Sequence, residues 1–207
     1  MSDATAPRPH RLTSKGQATR ERILLAATEL IAARGVAGTG TEDVRRAAGI
    51  SGSQLYHYFD SKQALIRAVI TRQAEAPLVP GRPIMGALDS FDALQAWADA
   101  AIEHLESTGG RNECTLGSLA GELGFADEAS REDLSRGFLH WQSILHDGLR
   151  AMRDRGDLRA DADLEELALT LLVALQGGNL LGQTMRSSAP LRASMHAALA
   201  YVRSFER

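Results

Sequence analysis

Thr41-Glu42-Asp43-Val44-Arg45-Arg46-Ala47-Ala48-Gly49-Ile50-Ser51-Gly52-Ser53-Gln54-Leu55-Tyr56-His57-Tyr58-Phe59 is the stretch on which the fold turns. It reads as two short helices joined by Ala48-Gly49-Ile50-Ser51, with a glycine where the turn needs a left-handed residue. Val44, Ala47, Ile50 and Leu55 are spaced to pin the two helices together. Thr39 and Glu42 stand at capping-box spacing, so Thr39 is expected to cap the first helix. Ser51 is expected to cap the second. That second helix is poor in apolar residues. Its outward face carries hydroxyls, an amide, an imidazole and phenols, groups that hydrogen-bond base edges and phosphates. A helix lying in the major groove puts its N-terminal residues nearest the bases. A capped helix N-terminus also suits a phosphate oxygen.

Helical spacing continues on both sides. Ile23, Ala27, Leu30 and Ile31 share a face of a helix expected over Arg20–Arg34, capped by Thr19 and stopped by Gly35. Ser61 opens a fourth helix with Leu65, Val69 and Ile70 inward. Pro77, Pro80, Gly81 and Pro83 then mark a linker or kink. Beyond it, Phe91 to Leu105 is helical and stops at Gly109-Gly110, and Cys114 to Leu123 is a shorter piece. Leu134, Phe138, Trp141, Leu145 and Leu149 stripe a helix over Glu128–Arg155. Leu164 to Met185 is apolar nearly all round, and Pro190 opens a last helix with Leu191, Met195, Leu199 and Val202 inward. No segment alternates as a strand should. The expected class is all-α, with about nine helices. The expected division is a polar basic tail over 1–16, disordered; a helix-turn-helix domain over 17–77, its motif at about 40–59; and a second helical domain over 84–207.

The 207 residues carry a formal charge of −3, which taken whole argues against a nucleic-acid partner. Divided along the chain, the sign changes. Residues 1–72 hold eleven Lys and Arg against six Asp and Glu, a local +5; residues 73–207 hold twelve against twenty, a local −8. The chain is a basic head on an acidic body. Cys114 is the single cysteine, which excludes an internal disulfide and a cysteine-rich zinc site and fits a reducing, cytoplasmic setting. Met1 to Gln17 has no apolar run of the secretory type. The longest apolar stretch, Leu167–Leu175, is less than half a membrane span and reads as a buried helix. A small helical enzyme finds no support: there is no P-loop, dinucleotide glycine pattern, metal-binding His-Glu helix or nucleophile elbow. His140 and His146 are six apart, off the spacing of a helical metal pair. No cofactor or metal is expected.

Residues 19–66 carry Thr-Arg-Glu-Arg-Ile, Ala-Ala, Arg-Gly, Ala-Gly-Ile-Ser, Leu-Tyr-His-Tyr-Phe, Ser-Lys and Ala-Leu in order. This quarter of the chain resembles the DNA-binding domain of the TetR/AcrR family of transcriptional regulators. The resemblance implies that Ser51, Gly52, Ser53 and Gln54 open the recognition helix. It also implies that Tyr56, Thr41 and Lys62 meet phosphate and that His57 and Tyr58 are exposed contacts. Glu42 is near the groove, though capping is its expected role. Gly52 and Ser53 stand where many members carry lysine and glycine, so operator sequence does not transfer. Arg45 replaces a small residue behind the recognition helix and either reaches phosphate or reshapes the packing. Phe59 reads as core; Tyr56 reads as ring packed and hydroxyl outward. Arg8, Arg11 and Lys15 are either inert or add salt-sensitive attraction to phosphate.

A single head contacts few base pairs, so specificity needs two at a fixed spacing. A homodimer on a palindromic operator is the expected state, most simply as a repressor released by a small-molecule effector. Leu164–Met185 and the last helix are the expected interface, with Leu175, Gly178, Gly182, Met195, Leu199 and Val202 on it. The alternative for the glycines is a weak helix bending around a ligand. Trp97, Phe138, Trp141 and Leu145, with His104, Gln176 and Asn179 as polar anchors, are candidate effector contacts; large aromatics at this spacing also read as plain core. His140 belongs with the polar set. Cys114, after Arg111 and at a helix start, is a candidate electrophile- or redox-sensing thiol or a buried inert one. The other classes are a small helical enzyme and a dimerisation protein with a vestigial head.

Overall fold

The computed structural model describes residues 13–76, 78, 88–109, 115–125 and 127–207. Among them the chain is all-helical, with nine helices and one isolated bridge between Leu158 and Glu206. Arg8, Arg11, Pro77, Pro80, Gly81, Pro83, Gly110, Arg111 and Cys114 lie outside the described residues.

The first helix starts earlier than its sequence suggests. α1 spans Ser14–Arg34 and is capped by Thr13, whose hydroxyl accepts from the Gly16 amide. Thr19 is inside the helix, its hydroxyl turned back to the Lys15 carbonyl. An N-cap signal at Thr19 was overridden because Thr13 offers the same chemistry one and a half turns earlier. Residues 14–16, expected in a disordered tail, are therefore helical, and Lys15 stands exposed on α1.

α2, Thr41–Ala48, and α3, Gly52–Tyr58, form the two arms of the expected turn. α4, Lys62–Ala74, is capped by Ser61 as expected. Ile23, Ala27, Ile31, Val44, Ala48, Ile50, Leu55, Phe59, Leu65, Val69 and Ile70 make the buried interior of these four helices. Ala47 is exposed; Ala48 takes the pinning place. One residue turns a helix by 100°, so a one-position misreading moves a side chain off the core face.

The remaining helices are α5 (Phe91–Thr108), α6 (Thr115–Leu123), α7 (Glu128–Arg155), α8 (Leu164–Met185) and α9 (Ala189–Arg203). α8 packs most extensively on α9 and also on α7, while α5 lies across α8 and α9. α8 is long and apolar enough to cross a bilayer, yet Leu167, Leu171, Leu172 and Leu175 are buried in the protein's own core.

Head and body are joined by packed contacts of α4 on α7 and of α1 on α6. The Trp141 indole N–H donates to the Ala74 carbonyl at 2.9 Å, at the last residue of α4. Arg67 of α4 grips the buried Asp133 of α7 through two nitrogens, at 2.5 and 3.3 Å, and Arg136 pairs with the same carboxylate. A hydrogen bond between charged groups contributes roughly 1.5–3 kcal/mol. Both arginines are about half exposed or more, which puts Asp133 at the low end of that range. Asp133→Asn is expected to cost about 1.5 kcal/mol in chemical denaturation. An unchanged midpoint would remove this ion pair from the head–body joint.

Candidate nucleic-acid interface

The turn is built by three local devices. Gly49 closes α2 in the left-handed region, φ 62° and ψ 43°, and its amide reaches back to the Arg45 and Arg46 carbonyls. A β-carbon would be strained in that conformation, so glycine serves the turn best here. Arg45 then straps the turn: its guanidinium donates to the Ile50 carbonyl at 3.1 Å and forms a two-nitrogen pair with Glu42 at 2.6 and 2.8 Å. Arg22 of α1 donates to the Ala48 carbonyl at 2.9 Å, occupying an acceptor the end of α2 leaves open.

Capping of α2 differs from expectation by one residue. Gly40 is the N-cap and the Asp43 carboxylate accepts from its amide at 3.2 Å. Thr39 is buried, and its hydroxyl donates to the Gly35 carbonyl at 2.8 Å. Glu42 is free of capping because it is held by Arg45, whose side-chain hydrogen bond keeps its carboxyl below the usual carboxylate range. Asp43 is lowered too, first by the Arg46 side chain and then by the Gly40 amide. Glu42, expected to serve the cap, is engaged by Arg45 instead, and Asp43 holds the Gly40 amide.

α3 has a complete capping box. The Ser51 hydroxyl accepts from the Gln54 amide at 3.2 Å, and Gln54 Oε1 accepts from the Ser51 amide at 2.9 Å. The Ser51 and Ser53 hydroxyls are 3.0 Å apart. With its oxygen committed, Gln54 turns its NH2 group to solvent as a donor. Leu55 and Phe59 anchor the inner face, with the Arg20 guanidinium 5.4 Å above the Phe59 ring. Ser51, Ser53, Gln54, Tyr56 and His57 are exposed, while Gly52, Tyr58 and Thr41 are half-buried. Tyr56 is 59% exposed. Tyr58 leans edge-on to His57 at 5.1 Å. Lys62, at the first turn of α4, donates from Nζ to the Val36 carbonyl at 2.8 Å, which leaves two N–H bonds of the ammonium for another acceptor.

In the body, the candidate effector residues separate. Phe138 and Gln176 line a cavity of about 240 Å³ together with Gly117, Ser118, Ala120, Gly177, Leu180 and Gln183. Trp97, Trp141 and Leu145 are buried core; Trp141 is spent on the head–body joint. Asn179 is buried in α8, His104 is half-buried on α5 and His140 is exposed; none of them lines the cavity. The α6 wall was missed because Gly117, Ser118 and Ala120 carry no chemical signature. Leu180 and Gln183 were legible in principle, since they follow Gln176 at helical spacing on one face of α8.

The residues expected at a dimer interface face inward. Leu175, Met195, Leu199 and Val202 are buried within the single chain. Gly178 lies against Leu191 and Ser194 of α9, and Gly182 against Leu105 of α5 and the Ser187 carbonyl. The glycines do serve close approach, but between helices of one protomer. Directly opposite them on α8, Leu169, Val173 and Leu180 form an exposed apolar stripe flanked by Leu181 and Met185. A helix apolar all round has two stripes, and only packing distinguishes the one it buries at home.

The family model for bacterial regulatory proteins of the tetR family matches residues 23–69. The model for the C-terminal domain of LmrA/YxaF-like transcriptional regulators matches residues 90–197. The chain is 26% identical over 175 residues to the transcriptional regulator LmrA of Bacillus subtilis, covering 84% of this chain and 90% of that protein. It is 25% identical over 184 residues to the transcriptional repressor DhaR of Mycobacterium sp. strain GP1, covering 83% and 86%. In fold it is similar to a TetR transcriptional regulator from Chloroflexus aurantiacus, with TM-score 0.75, 23% identity and coverage of 94% and 99%. It is likewise similar to reduced NemR of Escherichia coli, with TM-score 0.75, 24% identity and coverage of 92% and 97%. With two family models matched in tandem across the all-helical fold and its helix-turn-helix head, the chain belongs to the TetR family of bacterial transcriptional regulators.

Proposed function

We propose that the protein is a homodimeric repressor that binds a palindromic operator through α3 and is released when a small molecule occupies the cavity between α6, α7 and α8. The observation that carries the reading is the outer face of α3. Ser51, Ser53, Gln54, Tyr56 and His57 stand in solvent on a short capped helix whose inner face is fully anchored. Ser53 and the Gln54 donor face the bases, Ser51 and Gly52 lie at the helix start, and Tyr56, Tyr58, Thr41 and Lys62 reach phosphates. Arg45 acts by strapping the turn. The head runs from the start of α1 at Ser14 to about residue 77, and the sensing body occupies 84–207. DhaR's description as a repressor supports the same direction of control.

Two heads need a partner interface. The exposed Leu169–Val173–Leu180 stripe of α8 and the neighbouring small, exposed Ala193, Ala197 and Ala200 of α9 supply one of the right chemistry. Among the described residues the wall of the cavity carries no charged side chain, which suits an uncharged ligand.

The test is operator selection from a random DNA pool, followed by titration at several salt concentrations. Affinity falling steeply with salt is expected, since phosphate contacts release counterions. A flat dependence would refute phosphate-driven binding. Tyr56→Phe and Lys62→Ala should weaken binding about equally across sequences. Gln54→Ala should relax preference at one base, by about 1–3 kcal/mol of discrimination. Because its oxygen is held by Ser51, that base should present an acceptor to the major groove. Selection that returns the parental preference for Gln54→Ala would take Gln54 off the base-reading face.

A further inference from the structure

We propose that Glu122 is the positioning residue through which the cavity governs the DNA-binding head, by holding Val36 and, across Val36, Lys62. The inference rests on the reading of the cavity as the effector site and adds the linkage that reading lacks.

The contacts form one continuous line. Ser118 lines the cavity from α6. Glu122 follows four residues later, one turn along the same face of the same helix. Its Oε2 accepts from the Val36 amide at 2.7 Å, between residues 86 positions apart in sequence. Val36 is buried just beyond the end of α1, and its carbonyl accepts from Lys62 Nζ at 2.8 Å. One residue of the head is thus held on both sides, by the body through its N–H and by the candidate phosphate lysine through its C=O.

α6 is a suitable lever. Leu116 and Leu119 are fully buried, so it is seated as a unit, while Gly117, Ser118 and Ala120 face the cavity. Over four residues a helix rises about 6 Å, short enough for wall and carboxylate to move together. A hydrogen bond of this length is lost when its partners separate by about 1 Å. A ligand that favours a shifted α6 therefore favours release of Val36 and repositioning of Lys62. It does so only through differential affinity for the two arrangements. A coupling of this kind changes affinity by about 5–150-fold.

The test uses the full chain and the selected operator, with the cavity filled by a side chain in place of an effector. Ser118→Trp fills it from α6. Gly177→Phe fills it from α8, where a new β-carbon meets nothing within 4 Å, and serves if the first variant folds poorly. Filling is expected to weaken operator binding about tenfold with Glu122 present and less than about twofold in Glu122→Ala. Glu122→Gln retains an oxygen acceptor for the Val36 amide and is expected to restore the tenfold response. Hydrogen exchange at the Val36 amide should quicken on filling in the parent and be quick throughout in Glu122→Ala. Equal tenfold losses with and without Glu122, or Val36 exchange indifferent to filling, would overturn the linkage. A chain that selects no operator at all would instead defeat the underlying function, and the Val36 readout would still stand apart from it.

Discussion

Val173→Glu is expected to abolish dimerisation and reduce operator affinity by at least about 100-fold, roughly 2.8 kcal/mol at 1.4 kcal/mol per tenfold. Val173 is 60% exposed in the single chain, so the substitution leaves the protomer's own core untouched. Leu169 and Val173 stand exposed on α8 opposite its buried face, in line with Leu180, which also borders the cavity. In a two-fold interface each substitution appears twice, and burying an uncompensated carboxylate costs several kcal/mol per ion. Sedimentation should show a single-protomer mass, and circular dichroism an unchanged helical content. Val173→Leu should remain dimeric. A Val173→Glu protein that kept dimer mass and operator affinity would place the interface elsewhere.

Gly178→Ala and Gly177→Ala, one position apart, should move stability in opposite directions. A β-carbon at 178 would come within 2.5 Å of the Ser194 hydroxyl and 2.6 Å of the Leu191 α-carbon. The second contact is backbone, so α8 and α9 must separate. Overpacking costs about 1–3 kcal/mol, partly offset by alanine's higher helix propensity. A net loss of about 2 kcal/mol is expected, lowering Tm by roughly 4–8 °C for a chain of this size. At 177 a β-carbon meets nothing within 4 Å, so only the propensity gain of about 0.5–1 kcal/mol remains. Thermal unfolding of the pair decides it: a Gly178→Ala protein as stable as the parent would mean α8 and α9 are not in backbone contact there.

The substitutions separate two kinds of information. The turn at Ala48-Gly49-Ile50-Ser51, the Ser51 and Ser61 caps and the nine helices were legible from residue type and spacing. Each of those rests on interactions within a few residues, where local chemistry has one good solution. The outer face of α3 was legible for the same reason: a helix with so few apolar residues has little to bury.

Other features depended on which side chains engage one another once the chain is folded. Glu42 was expected in the cap of α2, but Arg45 holds it and Asp43 takes the Gly40 amide. Leu55 and Phe59 fill the inner face beside Tyr56, which is largely exposed. Glu122 carries no local signature, since its partner is an amide 86 residues away. Leu175, Gly178 and Gly182, expected at a dimer interface, are turned toward the protomer's own helices. Pattern alone shows that a helix is apolar all round, while burial against α9 shows which stripe is spent at home. Short-range spacing was thus enough for the helices and the turn, because those arise from neighbours in sequence, and the ordered motifs over residues 19–66 carried the family resemblance. The cavity wall, the free stripe of α8 and the line from Ser118 to Lys62 emerged only once the helices were packed, because each is made by residues that meet through folding.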